Sequence, residues 1–170
     1  LGEAFDKTAR LLNLGYPGGP QIEKCANNGN PDKYQFPMPL IHEKNCNFSF
    51  SGLKSSVAQI VLNKKITEKF KCDVSASFQK TISEILIKKT QKAVSMFNDM
   101  RKKQKTTDIV VAGGVAANKF LRSSLTAMEN EYNVQFFFPS LQLCTDNGAM
   151  IAYAGIERYE RTLFNKLNFK

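Results

Sequence analysis

The stretch from Ile109 to Tyr159 constrains the fold most, because two short apolar runs alternate there with two helical patterns. Ile109-Val110-Val111-Ala112 is a strand-length run closed by Gly113-Gly114, and Asn118 to about Met128 is helical by the spacing of Phe120, Leu121 and Leu125. Val134 to Phe138 is a second apolar run ending at Pro139, and another helix is expected from about Gly148 to Tyr159. Strand, helix, strand, helix predicts a parallel pair joined by a crossover, so the expected class is α/β, a parallel-containing mixed sheet flanked by helices. Open sheets of this kind bind ligands beyond the carboxyl ends of their strands. Gly113-Gly114 and Asp146, in the polar segment Cys144-Thr145-Asp146-Asn147, both fall at such ends.

Ahead of this unit, Phe5, Ala9 and Leu12 recur at helical spacing, with Gly15 as the stop. Tyr16-Pro17-Gly18-Gly19-Pro20 reads as a turn whose glycines permit close backbone approach, and Pro20 is placed to open a short helix reaching Asn28-Gly29. Residues 27–31 form a loop by their Asn, Gly and Pro content. Phe48-Ser49-Phe50-Ser51 alternates like a half-buried strand, broken by Gly52-Leu53-Lys54 before a helix near Ser55 to Leu62. Asn63 to Lys71 is expected to be a surface connection. From Asp73 to Lys103, Phe78, Ile82, Ile85, Leu86, Ala93, Phe97 and Met100 recur every three to four residues, which predicts a long amphipathic helix with lysines on its other face.

A chain of 170 residues with 42% hydrophobic content can bury one substantial core, as a single domain or as one lobe of a larger protein. The first residues already read as a helix and carry no methionine, so a fragment is expected, with residues 1–170 as one unit. No run approaches the roughly 20 apolar residues of a membrane span, and no signal-peptide pattern opens the chain; the expected address is cytoplasmic, or an organellar matrix in a eukaryote. The net charge of +9, densest from Lys88 to Lys105, fits a nucleic-acid partner, but a solvated lysine face gives the same pattern. Cys25, Cys46, Cys72 and Cys144 contain no C-x-x-C pair, which predicts reduced, partly buried thiols rather than a zinc knuckle or a redox motif.

Five segments, in order, carry a family resemblance: Gly2-Glu3-Ala4-Phe5-Asp6-Lys7, Tyr16 to Pro20, Phe48-Ser49-Phe50-Ser51-Gly52-Leu53-Lys54, Ala112-Gly113-Gly114-Val115-Ala116-Ala117-Asn118, and Cys144-Thr145-Asp146-Asn147-Gly148-Ala149-Met150. The chain resembles the C-terminal half of the TsaD family, whose members in archaea and eukaryotes are the catalytic subunit of the KEOPS complex. The resemblance implies an actin-like (ASKHA), two-lobed fold, of which this chain would be most of the second lobe. It also implies transfer of a threonylcarbamoyl group from threonylcarbamoyl-AMP to the exocyclic amine of the adenosine beside the anticodon of tRNA. TsaB and TsaE-type proteins are the partners it suggests, and a homodimer is also entertained.

By the same resemblance Asp6 and Glu23 would hold the ribose hydroxyls, since a carboxylate accepts two hydrogen bonds from a vicinal diol. Gly19 would let backbone amides approach the ligand, and Asn118 would contact the nucleotide. Asp146 would bind one divalent ion, iron or zinc, together with two histidines of an H-x-x-x-H motif that this chain lacks, its single His42 matching no ligand position. Local sequence leaves plainer readings open: solvated carboxylates for Asp6 and Glu23, an ordinary turn for P-G-G-P, packing for Gly113-Gly114, and a helix N-cap for Asp146. No residue bears the signature of a general base. A hydrogenase-maturation carbamoyltransferase shares a G-E-A-F-D-like segment, but the S-F-S-G-L-K and C-T-D-N segments favour tRNA modification. A TsaB-type scaffold should lack Asp146 and Asn118, and a zincin protease needs H-E-x-x-H.

Overall fold

The computed structural model describes residues 1–101 and 106–165. Along them run α1 (Gly2–Leu11), α2 (Gly18–Ala26), α3 (Ser51–Leu62), α4 (Glu68–Arg101), β1 (Thr107–Val110), α5 (Lys119–Thr126), a single turn α6 (Glu129–Tyr132), β2 (Val134–Phe137) and α7 (Gly148–Glu160). The strands are parallel, with Thr107 opposite Val134 and Ile109 opposite Phe136, and α5 and α6 make the crossover. This is the expected α/β unit, a small parallel sheet flanked by helices. Alternation along β2 buries Val134 and Phe136 and turns Gln135 and Phe137 outward, so the sheet is covered on one face. None of the described helices is long and apolar enough to cross a membrane.

Helix α4 is 34 residues long and is the spine of the fold. Phe78, Ile82 and Ile85 have no exposed surface, and α1, α2 and α3 add Phe5, Leu12, Ile22, Leu53 and Val57 to the same core. Complete burial of each large apolar side chain contributes roughly 1.5–3 kcal/mol. The Phe5 ring meets Phe78 edge-on, with centroids 5.3 Å apart. A second core forms where α4 reaches the sheet, from Val94, Leu125, Met128, Val134 and Phe136. The helix begins at Glu68 because Thr67 Oγ1 accepts the Phe70 amide at 3.1 Å, which shortens the expected surface connection. Its expected end at Lys103 lies outside the described residues, as do Lys102 and Lys105.

Four local expectations are corrected. Phe48 to Ser51 is not a strand: α3 starts at Ser51 with Gly52 inside it, and no described strand lies alongside to take up the backbone hydrogen bonds. The alternation instead stacks the Phe48 and Phe50 rings 6.0 Å apart. Lys89, assigned to the solvated face, is buried, and its Nζ donates to the Asn45 carbonyl at 2.9 Å; a long aliphatic stem is buried at little cost when the ammonium finds an acceptor. Helix α2 starts at Gly18 rather than Pro20, which becomes the third helical residue, where an amide has no intrahelical acceptor to lose. At position 93 the expected apolar contact is made by Val94 instead, Ala93 being exposed.

The loop after α2 is fixed to α4 by main-chain contact. Asn30 N–H donates to Asp73 Oδ1 at 2.8 Å and Tyr34 N–H to Ser77 Oγ at 3.1 Å. Burial by itself would raise the Asp73 carboxyl, but the Asn30 amide and the Lys69 ammonium outweigh it and hold the group below the usual carboxylate range. At Gly29 a Cβ would lie 1.9 Å from the Cys72 carbonyl oxygen, so a side chain there must push backbone off backbone. Gly29→Ala is therefore expected to destabilise the chain by about 2–3 kcal/mol, read as a lower midpoint of thermal or urea unfolding.

Candidate functional site

The backbone leaving the carboxyl end of β1 turns at Gly113 with φ 90°, a conformation that L side chains rarely adopt, into a short 3-10 turn, Gly114–Ala117. Asn118 then caps α5. Its Oδ1 accepts the Leu121 amide at 2.9 Å, and its Nδ2 donates to Gln79 Oε1 on α4 at 2.8 Å, with both side chains buried. The cap fixes which end of the amide is oxygen, so the Gln79 contact is a donation from Asn118. One Asn118 N–H remains for a further acceptor.

Facing this turn is the junction of α1 and α2. Asp6 Oδ1 accepts the Gly18 amide at 2.8 Å. Gly18 is packed so closely onto α1 that a Cβ would lie 2.5 Å from Asp6 Cα, whereas the next residue, Gly19, has open space beside it. Four residues after Gly19, Glu23 Oε1 accepts the Lys119 amide at 2.6 Å and so ties α2 to the first turn of α5, an anion on the positive end of that helix.

The two halves enclose a cleft of about 310 Å³, walled by Phe5 and Asp6 from α1, Gly19, Pro20 and Glu23 from α2, and Gly114, Val115, Ala117, Asn118 and Thr145 from the loops at the sheet's carboxyl end. The structure thus brings Asp6, Gly19, Glu23 and Asn118 to one place. Asp146 is exposed, and its neighbour Thr145 is the residue that borders the cleft. The N-cap of α7 is Asn147, whose Oδ1 accepts the Met150 amide at 2.9 Å, not Asp146; the capping oxygen has to reach the amide three residues on, and Asn147 has that spacing.

Among the described residues no three His, Cys, Asp or Glu side chains gather as a metal site. His42 is exposed in the loop between α2 and α3. Protein sites for iron or zinc draw on three or more side chains, so the exposed Asp146 carboxylate cannot by itself hold such an ion.

Sequence reasoning missed two residues that shape this region. Gln79 gives no local signal, since a glutamine inside a helix is ordinarily solvent-facing. Arg122, on α5, donates from Nε to the Ala116 carbonyl and from Nη2 to the Pro139 carbonyl at 2.7 Å and to Cys144 Sγ at 3.2 Å, and it lies 4.9 Å from the centre of the Phe138 ring. One guanidinium thereby joins the glycine turn, the end of β2 and the segment that leads to Asp146. Only the observation that an arginine follows Asn118 by four residues, and so returns to the same helix face, was available beforehand.

Comparison with known proteins gives the same direction throughout. The sequence model of the family described as TsaD: tRNA N6-adenosine threonylcarbamoyltransferase matches residues 1–153. Proteins of that name from Rickettsia massiliae (strain Mtu5) and Rickettsia rickettsii (strain Sheila Smith) are each 51% identical over 170 residues, covering 99% of this chain and 49% of the relative. That of Rickettsia bellii (strain OSU 85-389) is 48% identical over 174 residues, covering 99% and 50%. The chain spans about half the length of the curated relatives it matches.

The geometry around Arg122 predicts that Arg122→Lys loosens the cleft wall, because one ammonium cannot span acceptors on three segments. A loss of about 2 kcal/mol in unfolding free energy is expected, with faster amide exchange at Ala116 and Thr145 than at α1; unchanged exchange at both would count against this role.

Proposed function

This chain belongs to the TsaD family, and on that premise we propose that it is the nucleotide-holding, second lobe of an actin-like enzyme that modifies tRNA. The reaction is transfer of the threonylcarbamoyl group of threonylcarbamoyl-AMP to the exocyclic amine of the adenosine next to the anticodon, with AMP as the leaving group. The observation that carries the reading is the meeting of Asp6, Gly19, Glu23 and Asn118, from distant stretches of chain, around one cleft.

Each side chain has a task its geometry permits. Asp6 spends one oxygen on the Gly18 amide and keeps the other for a ribose hydroxyl. Glu23, tied by one oxygen to Lys119, offers its second to the same diol. Gly19 leaves the backbone bare where the ligand approaches, and the remaining Asn118 N–H donates to an acceptor on the base. A cleft of about 310 Å³ stands at the small end of ligand pockets, roughly 300–1,000 Å³. It suits the adenosine, leaving phosphate and threonylcarbamoyl to project toward a facing lobe and the tRNA.

Asp146 is proposed as the single ligand this chain gives to a divalent ion of the iron or zinc type, the other donors lying elsewhere. TsaB and TsaE-type proteins, and a second copy of the chain, are proposed partners, and the bacterial cytoplasm or an organellar matrix is the proposed address. The net charge of +9 favours the tRNA partner.

AMP titrated into the chain is expected to shift the amide resonances of Asp6, Gly19 and Asn118. Asp6→Asn, which keeps an acceptor for Gly18 but loses the charge, should weaken AMP binding roughly 10- to 100-fold. Shifts confined to another surface, or an unchanged affinity, refute the reading. The chain alone should take up far less than one equivalent of iron or zinc by elemental analysis; near-stoichiometric metal would contradict the proposed division of ligands.

A further inference from the structure

Helices α2 and α4 carry a feature that neither the cleft nor the fold requires. Cys25, on α2, and Cys72, on α4, place their sulfurs 3.1 Å apart although 47 positions separate them in sequence. Both are free thiols and both are half-buried. The other two cysteines are engaged differently: Cys46 Sγ faces Met96 Sδ at 3.6 Å, and Cys144 is buried under the Arg122 guanidinium at 3.2 Å. The backbone around the pair is held in register by the Gly29 contact with the Cys72 carbonyl and by the Asn30 to Asp73 hydrogen bond at 2.8 Å. Main-chain packing thus holds the backbone beside the two sulfurs close together.

We propose that Cys25 and Cys72 form a dithiol modification site that reacts with low-molecular-weight disulfides of the glutathione type and closes into an internal disulfide joining α2 to α4. In the first step one protein thiolate attacks a sulfur of glutathione disulfide, forming a mixed disulfide and expelling glutathione thiolate. In the second the neighbouring sulfur, having lost its proton, attacks the protein-side sulfur of that mixed disulfide and expels a second glutathione. The protein thiols lose two electrons in total, the oxidant gains them, and two protons pass to the two glutathione molecules. Closure needs the sulfurs to approach by about 1 Å, to a bond of roughly 2.05 Å.

Burial, with the Cys72 sulfur beside it, pushes the Cys25 thiol up to about 11, so Cys25 rests as a thiol at neutral pH and its exchange is slow. A cytosolic glutathione pool keeps it reduced, and closure follows only when that pool is oxidised. Because Cys25 lies on the helix that carries Gly19 and Glu23, the bond fastens one wall of the cleft to the spine of the fold.

Incubation of the reduced chain with glutathione disulfide, followed by intact-mass and peptide analysis without reductant, tests the site. The expected product has lost two hydrogens, retains no glutathione, and yields a peptide linking Cys25 to Cys72. Cys25→Ser and Cys72→Ser should each keep one glutathione on the remaining partner thiol. The oxidised wild-type chain should melt roughly 5–10 °C above the reduced one, since the link closes a long loop. Stable glutathione on the wild-type chain, a link to Cys46, to Cys144 or between two chains, or a lower melting temperature after oxidation would each overturn the proposal. The wild-type mass measurement decides the matter even if a serine variant fails to fold.

Discussion

The edge-on contact of Phe5 with Phe78 is the point from which the architecture can be built. It joins α1 to α4 ring to ring, and the Phe36 ring also meets Phe78 edge-on, at a centroid distance of 6.2 Å. With α1 in place, Asp6 stands one residue from the core, and the Gly18 amide can bond to it only because α2 arrives at near backbone contact. The polar cleft is thus a by-product of apolar packing. Asp6 follows Phe5 on α1 and Glu23 follows Ile22 on α2, and both of these neighbours are among the most buried of the described residues.

Much of this was legible in the order of residues, and for identifiable reasons. The parallel pair β1 and β2 announced itself because two apolar runs separated by a helical pattern leave few ways to bury both. Helix α4 was visible through the recurrence of Phe78, Ile82 and Ile85, although its surroundings were not: Ser75, Ser77, Gln79, Thr81 and Ser83 are buried as well, and polar residues on a helix give no hint of being enclosed. Phe48 to Ser51 misled because alternation reports side chains that face opposite ways, and a strand also needs a partner. Asp6, Gly19, Glu23 and Asn118 entered through family resemblance; periodicity alone would have left each as a solvated charge, a turn or a cap. Gln79 and Arg122 were out of reach, since their partners are fixed only by tertiary contact.

Electrostatics divides along the same lines. Surface ion pairs such as Arg161 with Glu157 and Lys71 with Glu68 are exposed on at least one side and contribute little. The charges that organise structure bond to the main chain: Glu23 to the Lys119 amide, Asp73 to Asn30, Arg122 to Ala116 and Pro139, Lys89 to Asn45. A count of lysines and carboxylates cannot separate the two groups, and the net positive charge therefore says more about long-range attraction than about how the chain is held together.

The bond from Glu23 to the Lys119 amide spans 96 positions, and this has a bearing on when the cleft comes into being. On a ribosome adding roughly 5–20 residues per second, the first wall emerges several seconds before the second has been made. Through that interval Asp6 and Glu23 are ordinary hydrated carboxylates, and nascent chains of that length have no nucleotide site to offer.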